Sequence, residues 1–189
     1  MNIGKTIYAK DRETWHAWLS RNYDKKTEIW LIYYKKASGK PRIPYNDAVE
    51  EALCFGWIDS IVKNIDNEKF AQRFSPRRPG SVLSQLNKER IRKLIIEKRM
   101  KKPGLVAVSH AYNPKLDHDG FVVPKNILNA IKKNPVAWMH FQNLPESYKR
   151  IRIAYIKDQM HHGKEAFKKS LDNFIRKTEK NKRFGFVKE

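Results

Sequence analysis

Trp15, Trp18 and Leu19 recur at helical spacing in "DRETWHAWLSR" (11–21), which predicts a helix with Asp11 and Glu13 at its positive N-terminal end. The pattern then changes. "EIWLIYYKK" (28–36) is aromatic or β-branched on both alternating faces, as in a strand covered on two sides. "ASGKPRIPY" reads as a loop from its glycine and two prolines. Asn46 is placed to cap a helix running to about Phe55, with Asp47, Glu50 and Glu51 in its first turns. Gly56 ends that helix and "WIDSIVKNI" follows as a strand, which allows the two strands to run parallel across the helical crossover. "DNEK" turns the chain into "FAQRFSP" (70–76), an antiparallel hairpin partner.

From Ser84 the period is helical, with Leu86, Ile91, Leu94 and Ile95 on one side of "SQLNKERIRKLIIEKRM" and Arg and Lys on the other. Pro103 and Gly104 are expected to break the pattern before a short helix, "LVAVSHAY". "NPKLDHDGFVVP" is a loop by its turn residues, and "KNILNAIKKN" a further helix. Pro135 and Pro145 fit first helical positions, and a last helix runs from about Lys164 to Lys177 before a tail expected to fray. The fold class is therefore α+β. A small mixed sheet of about three strands is packed by a majority of helices. Residues 1–110 form an α+β domain and residues 111–189 a helical region packed on it as one structural unit.

Composition narrows the setting. No apolar run approaches the roughly 20 residues of a membrane span, and the N-terminus lacks the apolar core of a secretory signal. A single cysteine, Cys54, rules out an internal disulfide and a cysteine-based zinc cage. These readings predict a soluble, cytoplasmic protein. The net charge of +20 is uneven: residues 67–102 carry 12 basic and 3 acidic side chains, and residues 145–189 carry 13 and 6. Two basic segments could draw in nucleic acid, or could be solvated helix faces rich in lysine.

Three stretches, "AVEEALCFGWIDS", "QRFSPRRPGSVLSQLNKERI" and "NPVAWMHFQNLPESYKR", resemble the YdeI/OmpD-associated, or bacteriocin-protection, family over roughly residues 10–160. The chain departs from that pattern at Leu83, where a tryptophan is usual, and at "QMHHGKEAFKKSLDNF". The resemblance implies a fold and an association with envelope or stress phenotypes. It brings no reaction chemistry, cofactor or metal.

The candidate chemistry centres on "RFSPRRPGSVLSQLN". Arg73, Arg77 and Arg78 precede a helix that Ser81 or Ser84 can cap, with Asn87 able to reach back to the same turn. Unpaired helix N–H groups and forked guanidinium donors suit a small anion such as a carboxylate or phosphate. The alternative is that the arginines bond loop carbonyls and the serines only cap. Trp57 and Asp59 share one strand face, Trp57 as a wall of the pocket, and Arg73 meets Asp59 only in one hairpin register. Asp59 beside an arginine would orient it; as a general base it would be poor, its pKa held down. Cys54 among Leu53 and Phe55 reads as a buried thiol, "DHDG" (117–120) as a turn, and His161 and His162 as neighbours pointing apart. The five tryptophans are expected in the core, with Trp138, Met139 and Phe141 sealing the C-terminal helices. No P-loop, dinucleotide fingerprint or nucleophile elbow is present, which argues against several large enzyme classes but not against enzymes in general; the reading leans to a non-enzyme and names no catalytic residue. An enzyme using Asp59 or a histidine as base is the remaining alternative. Oligomeric state is not readable.

Overall fold

Asp11 starts the first helix as its residue type allows: its carboxylate accepts the Thr14 amide at 2.8 Å and the Thr14 hydroxyl at 2.6 Å. The computed structural model describes residues 2–113 and 121–185. It divides into two units, residues 1–83 with 90–113, and residues 84–89 with 114–189.

The first unit runs β1 (Thr6–Tyr8), α1 (Arg12–Asn22), β2 (Ile29–Tyr34), α2 (Tyr45–Cys54), β3 (Trp57–Asn64) and β4 (Lys69–Pro76). It also takes the C-terminal part of α3 (Gln85–Ile96) and all of α4 (Lys102–Val108). The sheet is mixed, as expected, but has four strands in the order β1-β2-β4-β3. β1 pairs parallel with β2; at three residues it is too short to show a period in the sequence. β2 and β3 each pair antiparallel with β4, so they do run the same way, with β4 between them. Ile29, Leu31 and Tyr33 share a face with Phe70, Gln72 and Phe74. On that face Trp15, Leu19, Leu31, Leu53, Trp57 and Phe74 are buried together. Trp15 is wedged against Phe74, its indole N–H donating to the Ala48 carbonyl at 3.0 Å.

Two local expectations are corrected. Pro44, not Asn46, holds the cap position of α2: the chain arrives extended there and the Pro44 carbonyl accepts the Ala48 amide. Asn46 lies inside the first turn, where its side-chain oxygen accepts from Arg90 at 2.7 Å. Pro103 and Gly104 do not separate two helices but sit within the first turn of α4, where a proline needs no N–H partner. Gly104 is fixed by contact. A Cβ there would lie 2.6 Å from the Leu53 carbonyl oxygen and closer still to that of Cys54, so α2 and α4 approach through a glycine. Gly56, at φ +77°, ends α2 in the left-handed region as its position predicts.

The second unit holds the first turns of α3, then α5 (Lys125–Lys132), α6 (Pro135–Gln142), α7 (Glu146–Asp158) and α8 (Lys164–Glu179). Its core is Ile127, Ile131, Phe141, Tyr148, Ile153, Ile156, Leu171 and Phe174. Asn134 caps α6 by accepting the Ala137 amide at 3.0 Å, and Pro135 opens the helix. Pro145 stands one residue earlier than expected, as the cap of α7. Trp138 stacks on Phe141, but Met139 is 53% exposed and seals nothing. The tail folds back rather than fraying as far as Gly185: the Phe184 amide donates to the Tyr148 hydroxyl at 3.1 Å.

Candidate functional site

The arginines of the basic turn take separate roles in the first unit. A bulge between Asp59 and Val62 sets the register, placing Asp59 opposite Phe74. Arg73 lies opposite Trp30 on the other face, and its Nε donates to Glu28 at 2.7 Å. Arg73 and Asp59 therefore do not meet. Arg77 is buried, and one terminal nitrogen donates to the Ser81 hydroxyl at 3.0 Å, the Val82 carbonyl at 3.1 Å and the Ser81 carbonyl at 3.3 Å. It shapes the loop from within, and burial lowers its pKa. Arg78 is exposed.

Asp59 instead accepts the Tyr45 hydroxyl at 2.9 Å and the Gln72 amide at 2.8 Å. Burial, followed by the charge of Asp59, pushes Tyr45 up to about 12. Nearby Tyr33 is 2% exposed, its hydroxyl has no partner among the described residues, and burial raises its pKa strongly. Trp57 is buried with its indole N–H on the Tyr23 carbonyl, a core residue rather than a pocket wall. A second polar cluster joins Arg12 to Asp47, Glu50 and Glu51 at 2.6–3.0 Å. Arg99 also meets Glu51, and the His16 ring nitrogen lies 2.7 Å from that carboxylate. Two arginines share three carboxylates there, which describes a structural network. Cys54 is 1% exposed and burial pushes its thiol up to about 12, the state of an inert cysteine. Among the described residues no group of three or more His, Cys, Asp or Glu could hold a metal ion; "DHDG" lies outside them.

The second unit contains a cavity of about 1160 Å³ between α7 and α8, open to Ser84, Gln85 and Leu86 at the start of α3. Ser84 caps α3, its hydroxyl accepting the Asn87 amide at 3.3 Å. The amides of Gln85 and Leu86 belong to the first helical turn, which has no intrahelical acceptor for them. Glu89 anchors this segment to α7. It receives Arg150 through two bonds of 2.6 and 2.9 Å and the Gln85 side chain at 2.8 Å.

Arg152, also on the cavity wall, has its Cζ 3.9 Å from the Phe184 ring centroid and 5.1 Å from that of Tyr155. Its Nε is buried with no acceptor among the described residues, and burial lowers its pKa. Lys168, Lys169 and Arg176 add positive charge to the walls, against Asp158, Glu165 and Asp172. Of the candidate site residues read from the sequence, Ser84 alone lines this cavity. Arg152 and Tyr155 had a local signal, since spacing of three puts them on one side of α7. Phe184 had none, because its contact with Arg152 is made by the returning chain.

An α+β unit followed by a helical unit with an arginine-lined cavity is the class the geometry defines. Residues 7–107 match the family model described as "Domain of unknown function (DUF8412)", and the chain belongs to that family. Residues 120–181 match the model described as "Bacteriocin-protection, YdeI or OmpD-Associated". The resemblance read from the sequence thus holds over this part of the chain rather than over 10–160; it includes "NPVAWMHFQNLPESYKR" and the stretch that departs at "QMHHGKEAFKKSLDNF". The basic turn and "AVEEALCFGWIDS" fall within the other match. No curated protein matches the chain. No solved structure matches it either.

Proposed function

We propose that this protein binds a small anionic ligand, without catalysing a reaction on it, in the cavity of its second unit. The observation that carries the reading is that the first turn of α3 and Arg152 line the same cavity. Helix N–H groups and a guanidinium are complementary to carboxylate or phosphate. The anion expected near Ser84 is kept in this reading, but its charge partner becomes Arg152. Arg73 is occupied by Glu28 and Arg77 by loop oxygens. A cytoplasmic setting goes with it, supported by a lone buried free thiol; no described helix is long and apolar enough to cross a membrane.

The test is backbone amide NMR during a titration with inorganic phosphate. Saturable shifts at Gln85, Leu86 and the α7 residues around Arg152 are expected. Shifts confined to Arg77–Ser81 would return the site to the basic turn, and no saturable shift would remove the proposal.

A second reading, nucleic-acid binding, is favoured by Lys164, Lys168, Lys169, Lys180 and Lys182, which are exposed on α8 and just beyond it in a chain of net charge +20. Affinity for an oligonucleotide that falls steeply with salt would mark it.

A further inference from the structure

Resting on the anion reading, we infer that the cavity takes an organic oxyanion with an apolar body, a carboxylate or a phosphate monoester, held in the plane of the Arg152 guanidinium. The Cζ of Arg152 lies 3.9 Å from the centre of the Phe184 ring. A guanidinium nitrogen is about 1.3 Å from its carbon, so one aimed straight at the ring centre would lie inside contact distance. The guanidinium thus covers the Phe184 ring in close cation–π contact. The ring closes one side of the group, and the N–H donors point away from its centre. Nε is buried, which leaves the two terminal nitrogens to meet a ligand. Two oxygens of one carboxylate or phosphate fit such a fork, whereas a spherical ion uses only one point of it.

Size and wall chemistry supply the rest of the ligand. A cavity of about 1160 Å³ is on the scale of pockets that hold whole organic molecules and is far larger than a bare phosphate. Leu86, Ile151, Tyr155 and Phe184 line it beside the charge. Tyr155 is 49% exposed, so an aromatic ring is available to a ligand body. The polar head is placed by Arg152 and the start of α3, and the body by these side chains.

Calorimetric titration of the full chain with inorganic phosphate, phenyl phosphate and benzoate tests this, using wild type and Arg152→Lys. The lysine keeps charge and length but not the planar fork, and its thermal melt checks that the variant folds. Phenyl phosphate or benzoate should bind about tenfold tighter than inorganic phosphate through the buried ring. Arg152→Lys should weaken that binding by about tenfold or more, since a point charge replaces a bidentate fork. The tighter of the two organic probes identifies the head group. Equal affinity for inorganic phosphate and both organic probes, or full affinity in Arg152→Lys, would overturn the inference while leaving an anion site in place. No binding of any of the three to wild type would overturn the anion reading itself.

Discussion

Glu89 on α3 holds Arg150 on α7 through Nε and one terminal nitrogen of its guanidinium, at 2.6 and 2.9 Å, with both side chains largely buried. This bond fixes the turn of α3 that borders the cavity. It is a positioning contact, and its geometry is of the bidentate kind that gains most from planarity. Removing one partner strips a largely buried charge of its bidentate bond. Glu89→Ala should therefore destabilise the protein by about 3–5 kcal/mol in urea unfolding, and Glu89→Ala with Arg150→Met by clearly less. An additive double variant would show that the pair is not coupled.

Gly104 is the point where α4 meets the carbonyls of Leu53 and Cys54. Gly104→Ala adds a methyl group against backbone oxygens that have nowhere to move. Unfolding should show a loss of about 1–3 kcal/mol or more. Helix propensity alone would predict the opposite sign, since alanine is the better helix former. A gain in stability would mean that the two helices are not in contact here.

Cys54 is 1% exposed and its thiol is pushed up to about 12 by burial, with the neighbouring Glu51 carboxylate adding to the effect. A disulfide-exchange reagent at pH 8 should leave it unmodified in the folded protein over hours and react within minutes once urea unfolds the chain. Rapid reaction of the native protein would contradict its placement.

Glu28 has its pKa held below the usual carboxylate range, first by the hydrogen bond from Arg73. Asp11 and Asp66 are lowered too, by Thr14 and by the backbone amide of Glu68. A carboxylate with a depressed folded-state pKa stabilises the fold above its unfolded pKa, and that contribution is lost as pH falls through the folded value. Stability should thus decline below the ordinary carboxylate range. Arg73→Ala should decline less steeply there, because the largest cause of the lowered Glu28 pKa is gone. Parallel pH curves for the two proteins would show that the Glu28–Arg73 pair is not formed.

Much of the fold was legible because the local signals agree with one another. Asp11 and Pro135 open helices as their residue types allow, and the apolar runs of β2 and β4 are long enough to stand out. What was not legible depends on partners distant in the chain. The bulge after Asp59 decides whether Asp59 shares a face with Arg73, and no residue type announces it. Pro103 and Gly104 carry the signature of a break, yet one fits a first helical turn and the other a close helix contact. At the candidate site, Ser84 was legible as a cap of α3. Arg152 was not, because its environment is created by Phe184 returning from beyond α8.

The measurement that tests the central claim most directly is the thermal midpoint of wild type, Arg152→Ala and Arg78→Ala as inorganic phosphate is raised at constant ionic strength. A ligand that binds only the folded state raises the midpoint with concentration. Wild type and Arg78→Ala should rise together while Arg152→Ala stays flat. If all three rise alike, or if wild type does not move, the cavity at Arg152 is not an anion site.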